Sequence, residues 1–456
     1  MKVITRFAPS PTGLLHLGGA RTALFNYLFA RRNNGLFLVR IEDTDKSRST
    51  KNAIDAIKNG LHWLGLNSDK DIIYQSHRIK RHKEIAEDLI KNKSAYKCYL
   101  TNEEQSKIKS DCIKNGKPFR SPWRNKTENL NSNFVIRLKL PDQEETTIND
   151  EVQGKVKVSN SKLDDFVLIR SDGTPTYMLA VVVDDHDMKI SHIIRGDDHL
   201  NNAFRQYWLY RSLNWEVPTF AHIPLIHGTD GSKLSKRHGA VGVDEYKNLG
   251  ILPDALNSYL MNLGWTNLDK ILSKKEASKI FVLKKLRKSP SRFDIDQLKN
   301  INAYYLKNEN PELIISKILK YFNKENEENE IRLSKSIKPL LERSKTLTEL
   351  IHSSEWIVND DLKKPVNTQS INFTEEQRKI LLSFQVDLKL LDVWNKEKLK
   401  EFLTRWLNSK KLKFKDIGPS LRFCLTGKGS SIDLIDILYI LGPKEVYKRI
   451  NSQIND

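Results

Sequence analysis

The sequence predicts an α/β protein: a doubly wound parallel sheet interrupted by an α+β insertion, followed by an all-α C-terminal region. Three observations predict it. Residues 2–42 alternate strand, helix and strand, with a turn signal at each junction. The alternation lapses between about residues 80 and 175 and returns at His192. From Pro253 onward nearly everything reads as helix. At 456 residues the chain has room for about three domains of ~150 residues.

Val3-Ile4-Thr5-Arg6-Phe7-Ala8 alternates as a strand does, and Pro9-Ser10-Pro11-Thr12-Gly13 stops it. A helix is predicted from about Gly18 to Arg32, because Ala20, Ala23, Leu24, Tyr27 and Leu28 fall at i, i+3, i+4, i+7 and i+8. Arg31 and Arg32 suit its negative end, and Asn33-Asn34-Gly35 terminates it. Leu36–Ile41 is a second strand, running into the acidic turn Glu42-Asp43-Thr44-Asp45. Two parallel strands joined by a right-handed crossover begin a doubly wound sheet. The insertion holds a basic helix, Lys/Asn-rich loops and short strands at Phe134–Leu140 and Val152–Val158. His192–Arg195 resumes the sheet, and Gly196-Asp197-Asp198 is placed to cap the helix carrying Ala203, Phe204, Tyr207 and Trp208. His222–His227 reads as a further strand before the polar loop Gly228–Gly239. Lys396–Lys415 reads as a basic amphipathic helix pair with Phe402 and Trp406 toward the core. No repeat of 20–50 residues occurs.

Composition narrows the function classes. Hydrophobic residues at 39% and charged residues at 29% exclude a disordered chain. No stretch approaches the ~20 apolar residues of a membrane span, since runs such as Val181–Val183 are broken by acids within a few positions. The N-terminus enters a strand pattern at once, without a basic-then-apolar leader. Cys98, Cys112 and Cys424 are too few and scattered for a disulfide framework, which points to a reducing, cytoplasmic setting. Lys plus Arg number 76 against 57 Asp plus Glu, a net charge of +19. Such an excess fits a polyanionic partner or a Lys/Asn-rich coding bias, and charge alone leaves both open.

Two loops carry chemistry. Gly13-Leu14-Leu15-His16-Leu17-Gly18-Gly19 lies beyond the carboxyl end of the first strand, where doubly wound sheets bind nucleotides. Gly13 and Gly18 have P-loop spacing, but Gly19-Ala20 stands where Lys-Ser/Thr is required, so the Walker reading fails. What remains is a helix N-terminus with glycines that admit a nucleotide to the backbone, and an imidazole beside it. Gly231-Ser232-Lys233-Leu234-Ser235-Lys236-Arg237 gathers three cations and two hydroxyls between glycines. Alone it reads as a solvated basic loop; with the His16 loop it makes a consistent triphosphate site.

Five ordered motifs give these loops a context. They are Arg6–Gly13, His16–Gly19 with Ala20–Ala23, Ile41–Asp45, Arg195–His199 and Lys233–Arg237. Together they resemble bacterial glutamyl-tRNA synthetase, a class I aminoacyl-tRNA synthetase. His16–Gly19 is similar to that family's HIGH motif, with Leu for Ile and Gly for the last His, and Lys233–Arg237 to its KMSKS-type loop. The helical residues 250–456 agree with the family's helical anticodon-binding end.

The resemblance implies a Rossmann-like catalytic domain in two halves, 1–80 and 177–240, the second carrying the KLSKR loop. Residues 81–176 would be an inserted acceptor-end-binding domain, 241–310 a stem-contact module and 311–456 the anticodon-binding region. It also implies two steps: glutamate and ATP give glutamyl adenylate, and the tRNA terminal hydroxyl then takes the glutamyl group. His16, Lys233 and Lys236 would act on the phosphates, with Gly18, Gly19, Leu234 and Ser235 completing the ATP site. Arg6 and Arg195 would meet substrate carboxylates, Glu42 the ammonium, and Tyr177, Ala8 and Ser10 would line the pocket. An arginine inside a short central strand is costly unless paired, which supports Arg6 and Arg195 independently. Mg²⁺ is expected with ATP, held mainly by phosphates.

One departure from the family concerns zinc. Cys98 is followed by Leu100 where a second Cys would stand, and Arg120–Arg124 offers no Cys or His, so no structural zinc is expected. The implied partners are L-glutamate and tRNA-Glu, with tRNA-Gln left open, and the chain is expected to be a monomer. Glutaminyl-tRNA synthetase is the nearest rival, but its β-barrel anticodon end has no counterpart in residues 250–456.

Overall fold

The computed structural model describes residues 2–45, 49–126, 128, 130–142, 144–228, 230–232, 242–266, 268, 270–359, 373–428 and 432–455. It divides into two compact units: residues 1–247 with 253–298, and residues 248–252 with 299–456.

In the first unit, β1 (Ile4–Phe7) leads through α1 (Leu17–Arg32) to β2 (Leu36–Ile41), and the two strands pair in parallel with Ile4 opposite Leu36. Helix α2 (Lys51–Trp63) returns to β3 (Ile73–Tyr74), parallel to β2. These elements match the predicted strand–helix–strand unit to within a residue or two. The crossover helix α1 is buried nearly all round: Ala20, Ala23, Leu24 and Leu28 are covered, and so are Arg21 and Asn26. Asn26 stitches it to the sheet, its side chain donating to the Ile194 carbonyl (2.9 Å) and its own carbonyl accepting from the Thr5 hydroxyl (2.9 Å).

Beyond α3 (Ile79–Lys91) comes the insertion. It comprises β4 (Ala95–Cys98), α4 (Asn102–Lys114), β5 (Val135–Leu138), the hairpin β6 (Glu145–Asp150) and β7 (Gly154–Ser159), and β8 (Val167–Ile169). Strands β4, β5 and β8 form an antiparallel sheet. Ile136, Leu138 and Leu168 of this sheet and Ile148 of β6 share one apolar core with Leu38, Leu179, Val182, Ile193 and Phe220 of the parallel layer. The insertion is therefore packed into the unit rather than tethered to it.

The parallel layer resumes with α5 (Tyr177–Asp187), β9 (His192–Gly196), α6 (Leu200–Ser212) and β10 (Thr219–Ile223), the two strands again parallel. Ser191 joins this pair to β1, its N–H donating to the Ile4 carbonyl at 3.0 Å. The lateral order is thus β3, β2, β1, β9, β10, and the switch between the halves lies between β1 and β9. That is where an open α/β sheet offers a ligand crevice.

Two local expectations are corrected. The predicted strand His222–His227 is two strands, β10 and β11 (Ile226–His227), because Pro224 between them has no N–H for a ladder. Strand β11 pairs instead with β12 (Ser291–Arg292), a strand inside the region read as helical. Gly196-Asp197-Asp198 does not cap α6: Asp197–His199 winds a 3₁₀ turn first, so His199 occupies the cap position without a side-chain cap bond. The first unit continues through α7 (Val243–Asn248), α8 (Pro253–Gly264) and α9 (Lys274–Ile280).

The second unit is helical, with helices Pro311–Phe322, Glu327–Arg343, Leu347–Val358, Glu375–Leu388, Lys396–Lys410 and Phe414–Thr426. Helical stretch Leu434–Asn455 is broken at Gly442, which takes φ +74° before Pro443. Trp406 is buried as expected, its indole N–H donating to Asp387 at 2.9 Å. Among the described residues no helix is long and apolar enough to cross a membrane.

Candidate active site

The N-terminus of α1 follows the carboxyl end of β1, next to the switch point where a crevice is expected. Leu15 and Leu17 are buried and hold exposed His16 between them. His16 is the N-cap residue: its Nδ1 accepts from the Gly19 N–H at 3.2 Å, which fixes the ring. A Cβ on Gly18 would lie 3.1 Å from His16 Cε1, and one on Gly19 3.1 Å from Leu15 Cδ1. The backbone N–H groups and the positive end of the helix dipole suit an anion here.

The described residue that follows the lysine-rich segment, Gly242, lies beside His16. On the segment's N-terminal side the Gly228 N–H donates to the Ser232 carbonyl (2.9 Å) and the Ser232 N–H to Asp230 Oδ1 (2.9 Å). Gly242 bridges His16, while the Val243 N–H donates to the Leu15 carbonyl (2.9 Å). Lys233, Leu234, Ser235 and Lys236 lie outside the described residues.

Across the crevice sits a buried charge network. Arg6 Nε and Nη2 donate to both oxygens of Asp185 (3.1 and 3.3 Å). Arg40, fully buried, donates to Asp185 (2.6 Å) and Glu42 (3.1 Å). Asp184 takes Arg78 (2.6 Å), His82 (2.8 Å) and Gln75 (2.9 Å). Burial would raise both aspartates, but these cations and donors hold them below the ordinary carboxylate range. Glu42 is different: burial raises its pKa despite Arg40, so an added ammonium would favour its ionised form. The Glu42 N–H donates to the Pro9 carbonyl (3.0 Å), which brings half-buried Ala8 and exposed Ser10 to the same edge.

Arg195 is buried on β9 with a different set of partners. Its Nε donates to His222 Nε2 (3.1 Å) and its Nη2 to Gln206 Oε1 (2.8 Å), while Nη1 lies 3.5 Å from the Tyr177 hydroxyl. None is a carboxylate, and burial pulls its pKa down. The Tyr177 hydroxyl meets His199 Nδ1 at 3.1 Å. Burial, then Arg195, pushes the His199 pKa down to about 4, so that ring is neutral. The Tyr177 pKa is raised by burial and also feels Arg195, Glu42, Arg6 and Asp185, which makes these groups one electrostatic neighbourhood.

The structure therefore brings Arg6, Glu42, Tyr177 and Arg195 together, with Ala8 and Ser10 at the edge and His16, Gly18 and Gly19 on α1. The two arginines expected to meet substrate carboxylates differ in their partners: Arg6 holds Asp185, whereas among the described residues no acid contacts Arg195. Sequence reasoning missed Arg40, Asp185, His199, Gln206 and His222. The acids Asp184-Asp185 directly after the apolar run Met178–Val183 were a usable signal, since adjacent carboxylates in a buried helix demand cations.

Comparison with known proteins agrees along the whole chain. Residues 2–300 match the family described as class I tRNA synthetases (E and Q), catalytic domain, and residues 312–454 an anticodon binding domain. Glutamate–tRNA ligase 2 of Paramagnetospirillum magneticum is 44% identical, covering 100% of this chain and 98% of its own. Glutamate–tRNA ligase 1 of Bartonella tribocorum is 43% identical over 100% and 99%. Among solved structures, a glutamate tRNA ligase from Elizabethkingia meningosepticum in complex with its amino acid superposes with a TM-score of 0.87 at 30% identity, covering 100% and 99% of the two chains.

Proposed function

The chain belongs to the class I glutamyl-tRNA synthetases, and from that premise we propose that it joins L-glutamate to the 3′-terminal adenosine of tRNA-Glu in two steps. The α-carboxylate of glutamate attacks the α-phosphorus of ATP, forming the acyl–phosphate bond and releasing pyrophosphate. The terminal tRNA hydroxyl then attacks the acyl carbon, and AMP leaves with the bonding pair. The substrate carboxylate is already anionic, so no protein nucleophile is needed. Catalysis comes from positioning and from stabilising charge at a crowded phosphorus.

His16, fixed by its cap bond, donates through Nε2 to phosphate oxygens, and Gly18 and Gly19 let ATP lie against the backbone. Lys233 and Lys236 neutralise the departing pyrophosphate, with Leu234 and Ser235 shaping the loop. Arg195 takes a substrate carboxylate, Arg6 supplies its remaining edge, Glu42 holds the ammonium, and Tyr177, Ala8 and Ser10 line the pocket. The observation that carries this reading is Arg195, a buried guanidinium without a carboxylate in contact among the described residues. A glutamine amide would leave that cation unmatched, which disfavours glutamine.

Mg²⁺ accompanies ATP and is held by phosphate oxygens and water; among the described residues no three His, Cys, Asp or Glu side chains converge on a cation. No structural zinc is inferred, because Cys98 Sγ lies 3.3 Å from Ser121 Oγ and Arg120 and Arg124 pair there with Asp142 and Asp165. One tightly bound zinc equivalent would overturn that. Residues 81–176 hold the tRNA acceptor end, 241–310 its stem and 311–456 the anticodon, in a cytoplasmic monomer. ATP–pyrophosphate exchange with glutamate, run with and without tRNA, tests the whole: no exchange in either case overturns it. Lys236→Ala should slow adenylate formation far more than it weakens tRNA binding. Charging tRNA-Glu and tRNA-Gln transcripts side by side separates a discriminating from a non-discriminating ligase.

A further inference from the structure

Behind Arg195 runs a chain of buried groups that the proposed chemistry leaves unused. Arg195 Nε–H can only donate, so His222 Nε2 (3.1 Å) accepts and the imidazole proton sits on Nδ1. That nitrogen lies 2.6 Å from Asp150 Oδ2, and His222 and Asp150 are both buried. Asp150 is the last residue of β6, at the turn of the inserted hairpin. Its carboxylate also accepts the backbone N–H groups of Val152 (2.9 Å), Gln153 (2.8 Å) and His222 (3.1 Å). Hairpin and strand are clamped further by the Gln153 amide donating to the His222 carbonyl (2.9 Å) and the Glu151 N–H donating to the Phe220 carbonyl (2.9 Å). With Gln206 on Nη2, two of the three guanidinium nitrogens are fixed from behind, and the Nη1 edge is aimed at Tyr177.

We propose that Asp150 and His222 are positioning residues for Arg195: the inserted hairpin fixes the tautomer of His222, and His222 fixes the aim of the cation that takes the substrate carboxylate. This rests on the role given to Arg195 above. Holding the proton on Nδ1 is the essential act. With the proton on Nε2, two donors would face each other and the guanidinium would turn away. Burial and the neighbouring Arg195 lower the His222 pKa, which keeps the ring neutral and able to accept.

The distinguishing variant is Asp150→Asn. It keeps the size and an oxygen for the three backbone N–H groups, so the hairpin stays docked. Its amide N–H₂ faces His222 Nδ1 and drives the imidazole proton to Nε2. In ATP–pyrophosphate exchange with tRNA-Glu present, D150N should raise the KM for glutamate about 10- to 100-fold, the scale of one lost hydrogen bond to a charged group. The KM for ATP and kcat should stay within about threefold, and the thermal midpoint should change little. His222→Phe should match that loss. His222→Gln, whose amide oxygen can accept from Arg195 while its N–H donates to Asp150, should restore the glutamate KM.

An unchanged glutamate KM in D150N overturns the proposal, as does an equal rise for ATP and glutamate. So does a His222→Gln enzyme as impaired as His222→Phe, which would mark a packing role; should His222→Phe fail to fold, D150N and His222→Gln decide alone. A wild-type chain inactive with glutamate removes the ligase reading itself, whereas an active wild type with a D150N enzyme of normal KM removes only this one.

Discussion

Each unit buries an arginine deeply, and the two are held in opposite ways. Arg449, in the helical unit, is saturated. Its Nε donates to Glu445 (2.7 Å), Nη1 to the carbonyls of Trp356 (2.8 Å) and Leu425 (2.6 Å), and Nη2 to that of Asn359 (3.1 Å). Those carbonyls end helices Leu347–Val358 and Phe414–Thr426, whose last turns have no intrahelical donors. Arg449 is thus a shared C-cap with its counter-ion built in. Among the described residues Arg195 makes neutral contacts only. A saturated buried cation has its desolvation offset within the fold; one without a carboxylate does not, and on the proposed function the substrate supplies it.

Replacing each arginine by methionine is the sharpest way to break that comparison. Arg195→Met should cut kcat/KM for glutamate by about 10³-fold, roughly 4 kcal/mol, the scale of a buried charge pair lost. Its thermal midpoint should hold or rise, because an uncompensated burial is relieved. Arg449→Met should leave Glu445 buried without its closest cation and three helix-end carbonyls unmet, lowering stability by about 3–5 kcal/mol. Melting curves and exchange assays on both variants read the two quantities. A destabilised Arg195→Met with near-normal glutamate KM would erase the distinction.

The fold and the site were unequally legible. Strands β1 and β2 and helix α1 came from local signals, apolar periodicity and Pro/Gly punctuation, which act within a few residues. Arg6 and Arg195 were legible through motifs, and Tyr177 through the family resemblance those motifs carry. Their partners were not: Arg6 meets Asp185 across 179 positions and His222 meets Asp150 across 72, and no local pattern encodes such pairings. Pro224 splitting the strand after His222 was legible in principle, since its missing N–H is a local fact. The 3₁₀ turn that displaced the expected cap of α6 was not, because it depends on how Asp197–His199 close the end of β9.

A smaller effect tests the anion end of the crevice. On Gly18 a methyl would press within 3.1 Å of His16 Cε1 and 3.2 Å of Nδ1, so the ring must shift by a few tenths of an ångström. Gly18→Ala should slow adenylate formation about 10-fold, roughly 1.4 kcal/mol, through misdirected contacts to phosphate. The glutamate KM should be unchanged, since Arg195 lies elsewhere in the crevice. Steady-state exchange at varied ATP and varied glutamate separates the two.

The mildest test is pH, and it also contrasts the units. His192, His199 and His222 of the first unit all have lowered pKa values, burial being the leading cause. For His199 the value falls from 6.5 to about 4. Between those limits the unfolded chain binds a proton that the folded chain refuses, so stability falls as pH drops. His199 contributes stability fully above about 6.5 and loses it progressively toward about 4. Glu42, whose pKa is raised, acts in the opposite sense over a neighbouring window and blunts the slope. Substituting His199→Gln removes one of these protons from the balance, so its thermal midpoint should vary less between pH 6.5 and 4 than that of the wild type, by a few degrees. Arg449→Met should lie lower throughout. A His199→Gln curve parallel to the wild type would mean that Arg195 and burial do not hold this ring neutral, and the crevice would then be more hydrated than its unmatched guanidinium requires.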